Sequence, residues 1–227
     1  MYASVIQEAR EVEIFTGRDS LQGTLTIPSG AVGVVLFAHG SGSSRLNSRN
    51  RQVAADLQEA GLATLLFDLL TEREEAAERH DAHFRFDIGF LAQRLEDATD
   101  WALRDLSIRD LPIGYFGAGT GAAAALVAAA ASPEVIKAVV SRGGRPDLAG
   151  DALARVVTPT LLIVGSEDPP VLHLNQHAMR QMSAAPVQLE VIRGATHLFE
   201  EPGALEEVSG LAADWFRFHL GAVQSRG

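Results

Sequence analysis

Residues 117 to 121 read Gly-Ala-Gly-Thr-Gly. The outer glycines have the spacing of a Gly-x-Ser-x-Gly turn, in which a strand turns sharply into a helix and presents a serine hydroxyl as nucleophile. Gly119 occupies the serine position, so the turn is present without its oxygen. Two other segments carry the side chains that such a nucleophile needs. Asp168 lies in Gly165-Ser-Glu-Asp-Pro-Pro170 and His197 closes Arg193-Gly-Ala-Thr-His197, each just after a β-like run. A histidine oriented by a carboxylate is a general base. Glu167 is the alternative acid. A fourth segment, His39-Gly-Ser-Gly-Ser-Ser-Arg45, is a loop of small residues able to aim a backbone N–H at a developing oxyanion. The Ser41 N–H is the first candidate for that donor, and the Thr120 N–H, at a helix start, is the second. Together these residues are equipped for acyl transfer, with one atom missing.

The elements that must position them are legible from periodicity. Gly33 to His39, Ala63 to Phe67, Ile113 to Phe116, Ile136 to Val140, Thr160 to Val164 and Gln188 to Ile192 are short, nearly continuous apolar runs, as expected of parallel strands covered on both faces. Helical spacing links Val53, Ala54, Leu57 and Ala60, with Gly61 as the stop. It recurs at Leu91, Leu95, Ala98 and Ala102, and again at Leu205, Val208, Leu211, Ala212, Trp215 and Phe216. Strand and helix alternate, which predicts an α/β fold with an open, mostly parallel, doubly wound sheet and helices on both faces. Val12 to Phe15 and Leu21 to Ile27, joined by Thr16-Gly-Arg-Asp-Ser20, predict an antiparallel hairpin at its edge. In such a sheet the ligand sits beyond the carboxyl ends of the strands, where all four loops fall.

Composition bounds the rest. The chain has 227 residues, 47% of them hydrophobic, which suits one sizeable core and a single domain over 1–227. No apolar run reaches the length of a membrane span, and Met1 to Arg10 lacks the basic-then-apolar pattern of a secretory leader, so a cytoplasmic protein is expected. There is no cysteine, which excludes disulfides and thiolate chemistry. The net charge of -10 disfavours a nucleic-acid surface, and a small molecule is the expected partner.

Phe37 to Arg45, Arg85-Phe-Asp-Ile-Gly89, Ser141-Arg-Gly-Gly-Arg-Pro-Asp-Leu148 and His197-Leu-Phe-Glu-Glu-Pro-Gly203, together with the turn at 119, resemble segments of the dienelactone hydrolase-like branch of the α/β-hydrolase family. The resemblance extends over nearly the whole chain, and the order 119, 168, 197 is the family's order of nucleophile, acid and histidine. It implies hydrolysis of a carboxylic ester or lactone by a Ser-His-Asp mechanism, without metal or organic cofactor and away from membranes. His197 would be the general base, Asp168 its orienting acid, and Ser41 and Thr120 the oxyanion hole. Gly119 departs from the pattern. Losing a triad serine costs on the order of 10⁶ in kcat, whereas glycine relieves roughly 1 to 3 kcal/mol of backbone strain at such a corner. The fold is therefore expected to persist while turnover is lost.

Three functions remain open on the residues: a disabled ester or lactone hydrolase with an introduced or native glycine, a naturally silent relative that binds a small molecule or partner, and an enzyme rerouted through water or Thr120. Other residues have competing readings. Arg45, Ser141 and Arg142 are candidate substrate contacts, and Arg142 with Arg145 would suit an anion, against ion pairing with Asp147 or Asp151. Ser141 reads rather as a strand-end serine bonded to backbone. His39 reads as a local hydrogen-bonding residue, and His173 with His177 as a solvated helix face. The charged stretch Asp68 to His83 is either a mobile rim over the pocket or a solvated loop, and Asp87 reads as a helix cap.

Overall fold

The computed structural model describes residues 6–78 and 83–224; residues 1–5 of the segment read for a leader, and 79–82 of the charged stretch, lie outside the described residues. Eight strands form one sheet: β1 (Ile6–Thr16), β2 (Asp19–Pro28), β3 (Val34–Ala38), β4 (Ala63–Phe67), β5 (Ile113–Ala118), β6 (Ile136–Arg142), β7 (Thr160–Gly165) and β8 (Val187–Ile192), in the spatial order β1-β2-β4-β3-β5-β6-β7-β8. The β1–β2 hairpin is antiparallel and joins β4 antiparallel, while β4 to β8 run parallel. The chain steps outward from β3 to β4 and then returns to place β5 on the other side of β3. That reversal opens a crevice between the loops after β3 and β5, the usual ligand position in such sheets.

Two of the strands run further than their apolar patterns. β5 continues through Gly117 and Ala118, which pair with Ser141 and Arg142 of β6. The corner after β5 thus shrinks to Gly119, and Ser141 and Arg142 belong to a strand rather than to the loop after it. Glycine, serine and arginine carry little strand signal, and cross-strand pairing with neighbours on both sides overrides it.

Helices α1 (Ser48–Glu59), α2 (Glu72–Glu78), α3 (Ile88–Ala102), α4 (Thr120–Ala131), α5 (Pro169–Gln181) and α6 (Ala204–Gln224) cover the sheet, with tight-turn segments at Phe84–Phe86 and Pro146–Arg155. Val53, Ala54 and Leu57 of α1 and Val208, Ala212 and Phe216 of α6 close one face over Phe37, Phe116 and Val140. On the other face Leu91, Leu95 and Ala98 of α3 and the alanines of α4 pack with Ile14, Leu36 and Tyr115. Asp87 caps α3, its Oδ1 accepting the Phe90 N–H at 3.0 Å. α4 is apolar on every side because it is buried on nearly every side, which its small residues permit.

The start of α4 sits against the end of β3 with no room for a side chain. A Cβ on Gly121 would stand 2.1 Å from the Ala38 carbonyl oxygen, and one on Gly117 2.5 Å from the Ala122 Cα. Both obstacles are backbone atoms at the centre of the fold. Gly121→Ala is expected to lower stability by at least about 1 to 3 kcal/mol, the usual cost of overpacking, read as a lower urea midpoint at unchanged slope.

Candidate active site

Gly119 has φ +54° and ψ -125°, a backbone geometry that L side chains rarely adopt, and it connects β5 directly to the first turn of α4. Its conformation is held by its own carbonyl, which accepts the Arg145 N–H at 3.0 Å and the Ala122 N–H at 3.2 Å. A Cβ at 119 would meet only the Gly40 Cα, at 3.5 Å. The site therefore has space for a side chain at this position, and only the backbone angle resists one.

The loop after β3 touches the same corner. The Ser41 N–H donates to Thr120 Oγ1 at 3.1 Å, and the Ser41 and Thr120 hydroxyls are 3.2 Å apart. Ser41 N–H, read from the sequence as an oxyanion donor, is thus engaged by the Thr120 hydroxyl in this state. Thr120 turns its side chain toward Ser41. Its backbone N–H lies in the first turn of α4, where helical amides have no partner within the helix.

The acid and the histidine meet at the far side of the crevice. His197 Nδ1 donates to Asp168 Oδ2 at 2.6 Å, leaving Nε2 as the basic nitrogen. Asp168 uses its other oxygen to cap α5, accepting the Val171 N–H at 3.4 Å ahead of Pro169 and Pro170. Glu167, the alternative acid, instead accepts from the Ser166 hydroxyl at 3.0 Å. The His197 ring is half-exposed, and its Cε1 would lie 3.7 Å from a Cβ on Gly143. Since Arg145, two residues on, holds the Gly119 carbonyl, one short segment links histidine and corner.

The loop that carries His197 is anchored by a residue that pattern reasoning missed. Phe199 is buried, and it has a positive φ of +56° although it is not glycine. Its ring would lie 3.4 Å from a Cβ on Gly143. Burial of an aromatic ring offsets the backbone strain, and no local propensity announces such a conformation.

The three proposed substrate contacts separate. Arg45 is taken up by Asp68, which accepts its Nη1 at 2.8 Å and its backbone N–H at 2.7 Å, so it fastens the β3 loop to the end of β4 instead of facing a ligand. Ser141 is wholly buried inside the sheet beneath Gly144, and among the described residues its hydroxyl has no hydrogen-bond partner. The acid at the end of β4 engages Arg45, and the extension of β6 takes Ser141 into the sheet. Arg145 follows the ion-pair reading, with Nε and Nη2 each 2.8 Å from Asp147. Arg142 does not: it is buried, and no described hydrogen bond or ion pair engages its guanidinium. Burial, and secondarily the charge of Arg49, pushes its pKa down to about 10, which still leaves it charged at neutral pH. His173 and His177 are exposed on α5.

Beside the Ser41–Thr120 contact lies a cavity of about 130 Å³, with His39, Asp68, Glu78 and Arg85 in its wall. Buried Glu78 holds Arg85, accepting its Nε at 2.6 Å and the Phe84 N–H at 2.9 Å, so at least this part of the charged stretch is ordered around an ion pair. His39 is a local hydrogen-bonding residue: Nδ1 donates to the Gly40 carbonyl at 3.0 Å and Nε2 accepts the Leu69 N–H at 3.0 Å. That pattern requires a neutral ring.

A parallel sheet with an edge hairpin, a strand-corner-helix unit at its topological switch and an acid–histidine pair beyond later strands define a protein of α/β-hydrolase fold. The chain belongs to the dienelactone hydrolase family, whose model matches residues 21–217. A crystal structure of dienelactone hydrolase from Anabaena variabilis is 55% identical, with a TM-score of 0.91 over 93% of this chain and 98% of that one. Est1E from Butyrivibrio proteoclasticus, at 17% identity and a TM-score of 0.75 over 92% of this chain and 98% of its own, shares the fold. Two Mycobacterium tuberculosis proteins named "Putative phosphoribosyl transferase" are 57% identical over 210 residues, covering 92% of this chain and 46% of theirs. The chain thus spans about half the length of the curated relatives it matches. Among the described residues, no helix is long and apolar enough to cross a membrane.

Burial lowers the His39 pKa, against the opposing influence of the Gly40 carbonyl, Asp68 and Glu75. An unfolded histidine titrates near about 6.5, so below that pH the unfolded chain takes up a proton that folded His39 refuses. Stability should fall as pH drops from 6.5 toward the folded pKa. His219, also lowered by burial, acts in the same direction. Urea midpoints measured between about pH 7.5 and 5.5 are expected to decline, and His39→Gln to flatten the decline; an unchanged slope would place the dependence elsewhere.

Proposed function

We propose that the chain is a carboxylic ester or lactone hydrolase unit of Ser-His-Asp type whose nucleophile position is empty, so that it binds its substrate and turns it over very slowly. The observation that carries this reading is the 2.6 Å hydrogen bond from His197 Nδ1 to Asp168 Oδ2, facing a corner at Gly119 with the geometry of a nucleophile turn. With a serine at 119, Nε2 of His197 would take the hydroxyl proton as Oγ attacks the carbonyl carbon, and return it to the leaving alkoxide. Water would then repeat the sequence on the acyl-serine and release the acid. Thr120 N–H is the donor placed for the oxyanion, and Ser41 N–H joins it once substrate displaces the Thr120 hydroxyl. Without the serine, only a water activated at Nε2 can attack, a route without covalent capture.

In this reading residues 1–227 form one folded unit acting in the cytoplasm on a small molecule, with neither metal nor organic cofactor. Phosphoribosyl transfer, the activity in the name of those longer relatives, is not part of this reading.

The test is gain of function. Gly119→Ser should raise kcat/KM on p-nitrophenyl acetate by at least ~10³, since a triad serine is worth on the order of 10⁶ in kcat and new serines recover part of it. His197→Ala in that background should abolish the gain. A folded serine variant that hydrolyses no activated ester refutes the assignment. Activity of the native chain that depends on His197 would instead identify the water route.

A further inference from the structure

We propose that the N-terminal turn of α1 and the end of β6 form a binding site for a phosphate group carried by the substrate, with Arg142 as its central cation. The proposal deepens the hydrolase reading, on which it rests for the role of the bound phosphate as part of a substrate.

The protein neutralises its arginines with care around this site. Arg45 is paired with Asp68, Arg85 with Glu78, Arg94 with Glu74 and Arg145 with Asp147. Arg142 is the exception, at 9% exposure and with no described ion pair or hydrogen bond on its guanidinium, whose Nη1 is buried without a partner. A charge removed from water and left unpaired is among the most costly things a fold can contain. Its persistence calls for a partner that comes from outside the chain.

The surroundings define that partner's chemistry. The Arg142 guanidinium carbon lies 5.9 Å from the centre of the Phe116 ring, which places it on the face of the sheet covered by α1 and α6. Arg49, in the first turn of α1, is close enough for its charge to repel that of Arg142, and its own Nε is buried without a partner. Its Nη1 is held only by Glu200, at 3.1 Å, a side chain 65% exposed and free to exchange partners. Arg142 and an arginine of the first turn of α1, where the helix dipole adds positive potential, therefore repel each other, and no carboxylate among the described residues pairs with Arg142. Asn47 already accepts the Arg49 and Asn50 N–H groups, so a ligand here is held by side chains. A dianion with three acceptor oxygens matches two guanidinium forks better than a monoanionic carboxylate does.

The position suits a substrate subsite. Arg142 pairs in the sheet with Ala118, the residue before Gly119, and is followed by Gly143, which lies under His197. Arg142 is thus paired with the residue that precedes the corner and is next in the chain to the glycine that lies against His197.

Thermal unfolding of the whole chain with inorganic phosphate, sodium acetate or sodium chloride at matched ionic strength tests the site without any hydrolysis. Phosphate should raise the melting temperature saturably, by the equivalent of about a hundredfold in the folding constant at 100 times its Kd. Chloride should not, and acetate should act more weakly. Arg142→Met should melt higher than the native chain without phosphate, because the unpaired charge is gone, and should lose the phosphate response. Arg142→Lys, which keeps the charge but not the fork, should weaken that response and serves if the methionine variant fails to fold. A response equal to that of chloride, or one that survives Arg142→Met, means an adventitious ion only and overturns the site. An equal or stronger acetate response overturns the phosphate assignment. In Gly119→Ser, the preference for acetyl glycerol 3-phosphate over glycerol acetate should fall at least tenfold on adding Arg142→Met. A phosphate response without esterase activity in Gly119→Ser would retain the site and refute the hydrolase; esterase activity without a phosphate response would do the reverse.

Discussion

The Ala38 carbonyl and the Gly121 Cα approach so closely that no side chain fits between the end of β3 and the start of α4. Much of the site follows from that contact. It requires glycine at 121, and the equally tight packing of 117 against Ala122 requires glycine there too, so β5 can enter α4 with a single residue at the corner. It also brings the first turn of α4 beside the loop after β3, where the Thr120 hydroxyl meets the Ser41 N–H. The alanine-rich composition of α4 belongs to the same constraint. A helix packed into the middle of the molecule at backbone distance must be narrow, and burial on all sides then makes it uniformly apolar.

Around that corner the loops are tied by a few polar contacts that each serve two elements. Asp168 caps α5 and orients His197 with different oxygens. Asp68 fixes the β3 loop through Arg45, and His39 returns the tie by accepting the Leu69 N–H. These groups are thereby committed to the scaffold, and the loops they tie follow β3, β4 and β7, strands whose relative positions the sheet holds.

The missing side chain at Gly119 and the fold around it are compatible because they depend on different physics. The corner is built from backbone approach and backbone hydrogen bonds, to Arg145 and Ala122, and none of these uses a side chain at 119. Glycine also reaches φ +54° without the steric conflict of a Cβ. The corner of the fold is thus independent of the side chain at 119.

Continuous apolar runs and their alternation with helical spacing were enough to read the strands and the order of corner, acid and histidine, because burial on both faces and placement after a strand leave local marks. The Gly-x-x-x-Gly spacing of 117 and 121 was visible for the same reason: close packing demands glycine irrespective of the partner. Other features depend on residues far apart in the chain. That Ser141 and Arg142 are strand residues follows from pairing with Gly117 and Ala118 on one side and Leu162 and Ile163 on the other, not from their own propensity. The positive φ of Phe199 comes from the burial of its ring, and the direction of the Thr120 hydroxyl from Ser41, 79 positions away. Arg45 and Arg142 looked alike as loop arginines, and only the folded chain gives one a carboxylate and leaves the other bare. Sequence alone determined the scaffold and the absent nucleophile, since period and residue type are local. Which charges are neutralised and which are left without a partner was decided by tertiary structure, because pairing is set by distances that only the assembled sheet creates.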